Sequence, residues 1–167
     1  ERKSEKIATL ADYLRSLPVD AASGAALFFT ARTFPQADQR RLGVGWALLK
    51  RALLEVGGAT EAEYRARRHR FADAGEAAQA MLPPDARSRG MTLDQIGATF
   101  GLLAASNAPE AKLELLQNLL RKLCPLEAKY WVKLMLGDLR IGLKESLVEE
   151  SMAMSVSLAP DAVRTAA

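Results

Sequence analysis

Between one proline or glycine break and the next, apolar residues in this chain recur at i, i+3, i+4 and i+7, the spacing that lines one face of an α-helix. Ile7, Leu10, Ala11, Leu14 and Leu17 follow it until Pro18. Trp46, Leu48, Leu49, Leu53, Leu54 and Val56 form a strongly apolar run that Gly57 and Gly58 stop. Leu93, Ile96, Phe100 and Leu103 do likewise, and "EAKLELLQNLLRKL" (110–123) is the most regular amphipathic stretch. No segment shows the period-two alternation of a credible strand. Composition agrees: 49% of the 167 residues are apolar but only 6% aromatic, and alanine and leucine dominate, which favours helices over sheets.

Start signals fall where this pattern needs them. Thr60 with Glu63 and Thr92 with Gln95 have capping-box spacing, and Pro125 suits the first turn of "PLEAKYWVKLML". Gly137 closes that segment, and "KESLVEESMAM" (144–154) follows. Gly24, within a segment running from Asp20 through Phe28 and Phe29, predicts close packing. "TARTFPQADQRRLGVG" (30–45) reads as a loop by its proline, glycines and polar content. The expected fold is all-α, a compact array of about ten short helices in one unit.

Much chemistry is excluded. No apolar run approaches the roughly 20 residues of a membrane span, and no basic-then-apolar segment opens the chain. Cys124 is the only cysteine, so no intramolecular disulfide can form, which fits a cytoplasmic location. His69, the only histidine, sits in "RARRHRF" and reads as a surface residue rather than a general base. No Cys/His cluster has metal-ligand spacing, and Gly43-x-Gly45 lacks the third glycine and preceding strand of a dinucleotide fingerprint. Glu149 and Glu150 read as a solvated helix face. Trp46, Tyr130 and Trp131 lie at helical spacing with leucines and read as core. The chain offers no active site and no cofactor site of its own.

Anion binding is physically open. The net charge is only +3, but basic residues gather at 32–51, 65–70 and 121–144. Leu42-Gly43-Val44-Gly45 and Leu139-Arg140-Ile141-Gly142 share the form Leu-x-β-branched-Gly, each read as directly preceding a helix. A helix N-terminus has unpartnered N–H groups and a partly positive dipole end. Gly142 would let a phosphate approach the backbone while Arg140 adds a charge-assisted contact, with Leu139 and Ile141 anchoring the turn. Gly43 and Gly45 have Arg32, Arg40 and Arg41 near in sequence and offer the same ingredients. The residues alone leave two readings open: phosphate contacts, or glycines that merely cap and pack.

Pro125-Leu126-Glu127-Ala128-Lys129-Tyr130, followed by Gly137-Asp138-Leu139-Arg140-Ile141-Gly142-Leu143, resembles the N-terminal DNA-binding domain of ATP-dependent DNA ligases of bacterial or archaeal type. Thr30-Ala31-Arg32, with Phe34-Pro35, Asp38, Arg40, Leu42 and Val44-Gly45, resembles that family's T-G-R…F-P…D-x-R-x-L-x-V-G stretch, and Tyr64-Arg65 leading to Asp73 and Gly75 is a weaker match. The resemblance spans nearly the whole chain. It implies a helical domain with pseudo-twofold halves that grips nicked double-stranded DNA on its minor-groove face through the backbone. It implies DNA contacts from Arg140, Gly142 and Lys144 in one half and from Arg32, Arg40, Gly43 and Gly45 in the other.

Ala31 stands where the family often has glycine, and Trp46 where a small residue is common. No lysine here has the Lys-x-Asp-Gly context of the ligase nucleophile, so the chain is expected not to be an enzyme by itself. ATP and Mg2+ would belong to the parent enzyme, whose adenylation and OB-fold domains would be partners of a monomeric fragment. The resemblance places the helical domain at 1–158. Residues 159–167 would start the connection toward the adenylation domain, the chain being cut at both ends. The competing reading is a non-enzymatic helical scaffold that binds another protein through an apolar groove.

Overall fold

The structure, a computed structural model, describes residues 2–71 and 73–158, and of Arg67 and Arg68 only the backbone. Residues 159–167, where the connecting segment is expected, lie outside the described residues. Those described form nine α-helices and no strand. They are α1 (Lys3–Arg15), α2 (Val19–Phe29), α3 (Trp46–Gly57), α4 (Glu61–Arg67), α5 (Ala74–Met81), α6 (Leu93–Ala105), α7 (Pro109–Leu120), α8 (Pro125–Met135) and α9 (Glu145–Ser155). A short 3-10 turn, Arg68–Arg70, follows α4 and holds the exposed His69.

The helices start and stop for local reasons. Thr92 accepts the N–H of Gln95 while the Gln95 amide accepts the N–H of Thr92, and Thr60 and Glu63 exchange the same pair of bonds. Pro109 and Pro125 occupy first-turn positions of α7 and α8, where a missing N–H costs nothing. The stretch 110–123 is helical only to Leu120, because the chain turns there before the next proline helix.

Three helix pairs dominate the packing: α1 with α9, α3 with α7, and α5 with α8. Each joins an early helix to a late one, so the two halves of the chain interlock. The larger core gathers Leu49, Leu53, Phe100, Leu103, Leu116, Leu120 and Val132. Burying each leucine contributes about 2 kcal/mol. A smaller core of Leu10, Leu14, Ala25, Ala26 and Val148 closes α1, α2 and α9 over one side.

Gly24 does not do what its place in α2 predicts: no atom lies within 4 Å of where its Cβ would stand. The close approaches are at Gly57, where a Cβ would collide with the Met81 carbonyl oxygen, and at Gly75, where it would lie 2.7 Å from the Lys129 carbonyl oxygen. Those two glycines let α5 lie tightly against α3 and α8.

Candidate nucleic-acid interface

Two irregular segments carry the candidate residues, 30–45 between α2 and α3 and 136–144 between α8 and α9. The first begins with α2 ending in a Schellman turn. The Arg32 N–H reaches the Leu27 carbonyl at 3.4 Å and the Ala31 N–H reaches Phe28 at 2.9 Å. This puts Ala31 at φ +60°, the left-handed position that explains a glycine preference there. Phe34 packs on the larger core, and its ring lies 4.4 Å beneath the Arg40 guanidinium. On the other side, Asp38 accepts Arg40 Nε at 2.8 Å, Nη2 at 2.6 Å and the backbone N–H at 2.9 Å. Those hydrogen bonds hold the Asp38 carboxyl below the usual carboxylate range and push Arg40 up.

Gly43 lies at φ +58° with the Lys112 side chain against it. Gly45, at φ −88°, is itself the N-cap residue of α3, with nothing within 4 Å of where its Cβ would be. Trp46 packs toward Tyr64, ring centroids 6.4 Å apart.

In the second segment Gly137, at φ +71°, closes α8, and Asp138 donates its N–H to Lys133 at 2.8 Å. Arg140 stands at φ +49°, and its guanidinium pairs with Asp138 at 2.8 Å, which pushes its pKa up. Leu139 packs on the larger core, which anchors the turn. Gly142, at φ +70°, is exposed, and a Cβ there would meet Lys6 Nζ of α1 at 3.1 Å.

The helix does not open just past Gly142, as the sequence suggested. Lys144 is the N-cap residue of α9 and Glu145 its first residue, so Leu143 stands between Gly142 and the cap. The four-residue echo therefore holds at its second position, where Gly43 and Arg140 are both left-handed, and fails at its fourth. A deeper echo is the Asp-x-Arg pair, Asp38 with Arg40 and Asp138 with Arg140.

The segments meet. Arg32 pairs with Glu145 at 2.9 Å, and a cleft of about 400 Å³ is lined by Arg32, Asp38 and Arg40 on one side and Gly137 on the other. Gly43 and Gly45 lie apart from that cleft's lining, on the α3–α7 side. Among the described residues no group of His, Cys, Asp or Glu could hold a metal ion.

The family model described as "DNA ligase N terminus" matches residues 1–153. This chain belongs to that family. A probable DNA ligase of Opitutus terrae is 42% identical over 200 residues, covering 99% of this chain and 20% of the relative. One of Koribacter versatilis is 42% identical over 153 residues, covering 91% of this chain and 27% of the relative. The DNA ligase of Methanopyrus kandleri is 31% identical over 172 residues, covering 98% and 31%. The chain thus spans a fifth to a third of the length of these relatives.

For this ligase family member the charge balance of the face is informative. Arg32, Arg40 and Arg140 each hold a carboxylate partner in the DNA-free chain. For Lys6, Arg41 and Lys144, all near the glycines, no ion pair occurs among the described residues. A second feature is an apolar groove of about 670 Å³ between α2, α6, α8 and the 139–143 turn, into which Leu139, Ile141 and Leu143 all face. Tyr130 lines it and is 43% exposed, so it is not the core residue its spacing suggested, whereas Trp131 is buried and stacks on Phe100. No helix among the described residues is long and apolar enough to cross a membrane.

Proposed function

We propose that this domain binds nicked double-stranded DNA through its backbone, without reading sequence, and positions the break for ATP-dependent ligation. The observation that carries this reading is the meeting, in a DNA ligase N-terminal domain, of two loops that each hold an arginine paired with the aspartate two residues before it and a left-handed residue, Gly43 in one and Arg140 itself in the other. Arg32, Arg40, Arg140 and Lys144 supply the phosphate contacts, with Gly43, Gly45 and Gly142 keeping the backbone accessible. Catalysis, with ATP and Mg2+, belongs to adenylation and OB-fold domains elsewhere in the parent protein. The fragment acts as a monomer.

Fluorescence anisotropy on a nicked duplex tests this. The log of affinity falls with log salt at about 0.9 per phosphate neutralised, so four contacts give a slope near 3.6. Arg140→Ala weakens binding to every duplex sequence equally and leaves helicity unchanged. Absence of binding at low salt, or a flat salt response, refutes the proposal.

The apolar groove supports a second reading, a helical scaffold that docks an apolar segment of another protein. That reading predicts that a polar change on the groove wall, Tyr130→Lys, abolishes partner capture while DNA binding persists.

A further inference from the structure

Lys112 stands out among the lysines and arginines near the two glycine loops: it is 8% exposed, where Arg40, Arg41, Arg140 and Lys144 are exposed. Taking an ammonium out of water is costly unless its protons are all spoken for. Lys112 Nζ donates to the Leu42 carbonyl at 2.6 Å and to the Gly43 carbonyl at 3.1 Å, two successive peptides of the first loop. It forms no ion pair among the described residues, so its charge is not cancelled by a carboxylate. A Cβ at Gly43 would stand 2.5 Å from Nζ and push the lysine tip aside, and the φ of +58° disfavours a side chain there in any case.

Peptide planarity then fixes the other side of the loop. In a trans peptide the N–H points opposite to the C=O it adjoins. With the carbonyls of Leu42 and Gly43 drawn in to Lys112, the N–H groups of Gly43 and Val44 are turned away from α7. Neither finds an acceptor within the chain among the described residues. Two successive outward N–H groups form a nest that suits an anionic oxygen.

We propose that Lys112 is the positioning residue of the first loop. It touches no DNA, but holds the Gly43 and Val44 N–H groups toward a backbone phosphate oxygen. Gly43 is then the seat of Lys112 as well as part of the contact. The inference rests on the DNA-binding reading above.

The test is the intact chain with Lys112→Met, which keeps length and removes the donor, titrated with nicked duplex at several salt concentrations. Affinity falls on the order of tenfold, the worth of one lost charge-assisted hydrogen bond, while the salt slope keeps its wild-type value. Combined with Arg140→Ala in the other loop, the losses multiply; combined with Arg40→Ala in the same loop, they fall short of multiplying. Unchanged affinity reduces Lys112 to a core filler and overturns the proposal. A slope lower by about 0.9 makes it a direct phosphate contact and also overturns it.

Should Lys112→Met not fold, amide NMR of the wild-type chain decides. The Gly43 and Val44 N–H resonances move on adding nicked duplex, and silence there while Arg140 responds sinks the proposal. Failure of the wild-type chain to bind at all is a different result, since it removes the DNA-binding reading itself.

Discussion

Replacing Ala31 by glycine should stabilise the protein, an uncommon outcome for a point change. Ala31 holds φ +60° because the Schellman turn ending α2 demands it, with the Ala31 and Arg32 N–H groups bonded back to Phe28 and Leu27. An L-residue in the left-handed region costs about 1–2 kcal/mol, which glycine avoids. Against this, glycine frees the unfolded chain by about 0.5–1 kcal/mol, and the half-buried methyl forfeits a few tenths more. The balance favours Ala31→Gly by about 0.5 kcal/mol. In a domain of 167 residues that is a rise in Tm of roughly 1–2 °C. Paired thermal melts or urea unfolding resolve such a difference when replicated. Because Arg32 and Arg40 keep their positions, affinity for nicked duplex should not move. A fall in Tm would refute the reasoning, since it would mean that the methyl packs better than the backbone strains.

The reverse change at a tight glycine is the larger effect. Gly57→Ala drives a Cβ into the Met81 carbonyl and should lower stability by about 2 kcal/mol, a Tm loss of roughly 4–8 °C that calorimetry would register. Asp73 is pushed up by burial, but hydrogen bonds from Lys133 and from the Glu76 N–H outweigh this and leave it below its ordinary value. A depressed carboxyl stabilises above its unfolded pKa and is lost as pH falls through its folded one, so the wild-type Tm should drop below about pH 4. Asp73→Asn should flatten that acid limb, at the cost of neutral-pH stability, because Lys133 is left buried 2.8 Å from a neutral amide. Asp138→Asn removes a carboxylate beside Arg140 and should tighten binding to nicked duplex about threefold at low salt, an advantage that anisotropy should find erased near 1 M salt.

The helices were legible because their signals are local. Thr60, Thr92, Pro125 and the Gly57–Gly58 stop each act within four residues of themselves. Other caps are not announced so plainly: Asp73 accepts the Glu76 N–H at 2.9 Å, and Glu127 accepts the Cys124 N–H at 2.8 Å, where cysteine is not a residue that marks a helix start. What the sequence hid depends on distance along the chain. Gly24 suggested close packing and Gly57 a helix stop, yet it is Gly57 that the Met81 end of α5 crowds while Gly24 stands open. Lys112 reads as a polar helix residue until α7 is laid beside the Leu42–Gly43 carbonyls. The aspartates at 38 and 138 stand in the stretches that carry the resemblance, but only the structure shows that each pairs with the arginine two residues on. Ile141 and Tyr130 needed the groove to show that an apolar residue here can face an opening instead of a core.

The pairing of α1 with α9 sets a schedule for synthesis. Lys3 bonds to Glu150 at 2.7 Å, and Arg15 reaches the Ser155 and Met154 carbonyls, so the first described helix is completed by the last. About 130 residues separate the end of α1 from the start of α9. At roughly 5–20 residues per second the ribosome needs on the order of ten seconds to bridge that gap. Throughout that interval Leu10, Leu14 and Ala25 lack the wall that Val148 supplies. The larger core can close without α9, so the nascent chain passes through a state with one side finished and an apolar stripe still open. Conditions that slow elongation between α1 and α9 lengthen the life of that state, and they should lower soluble yield before they affect any property of the finished domain.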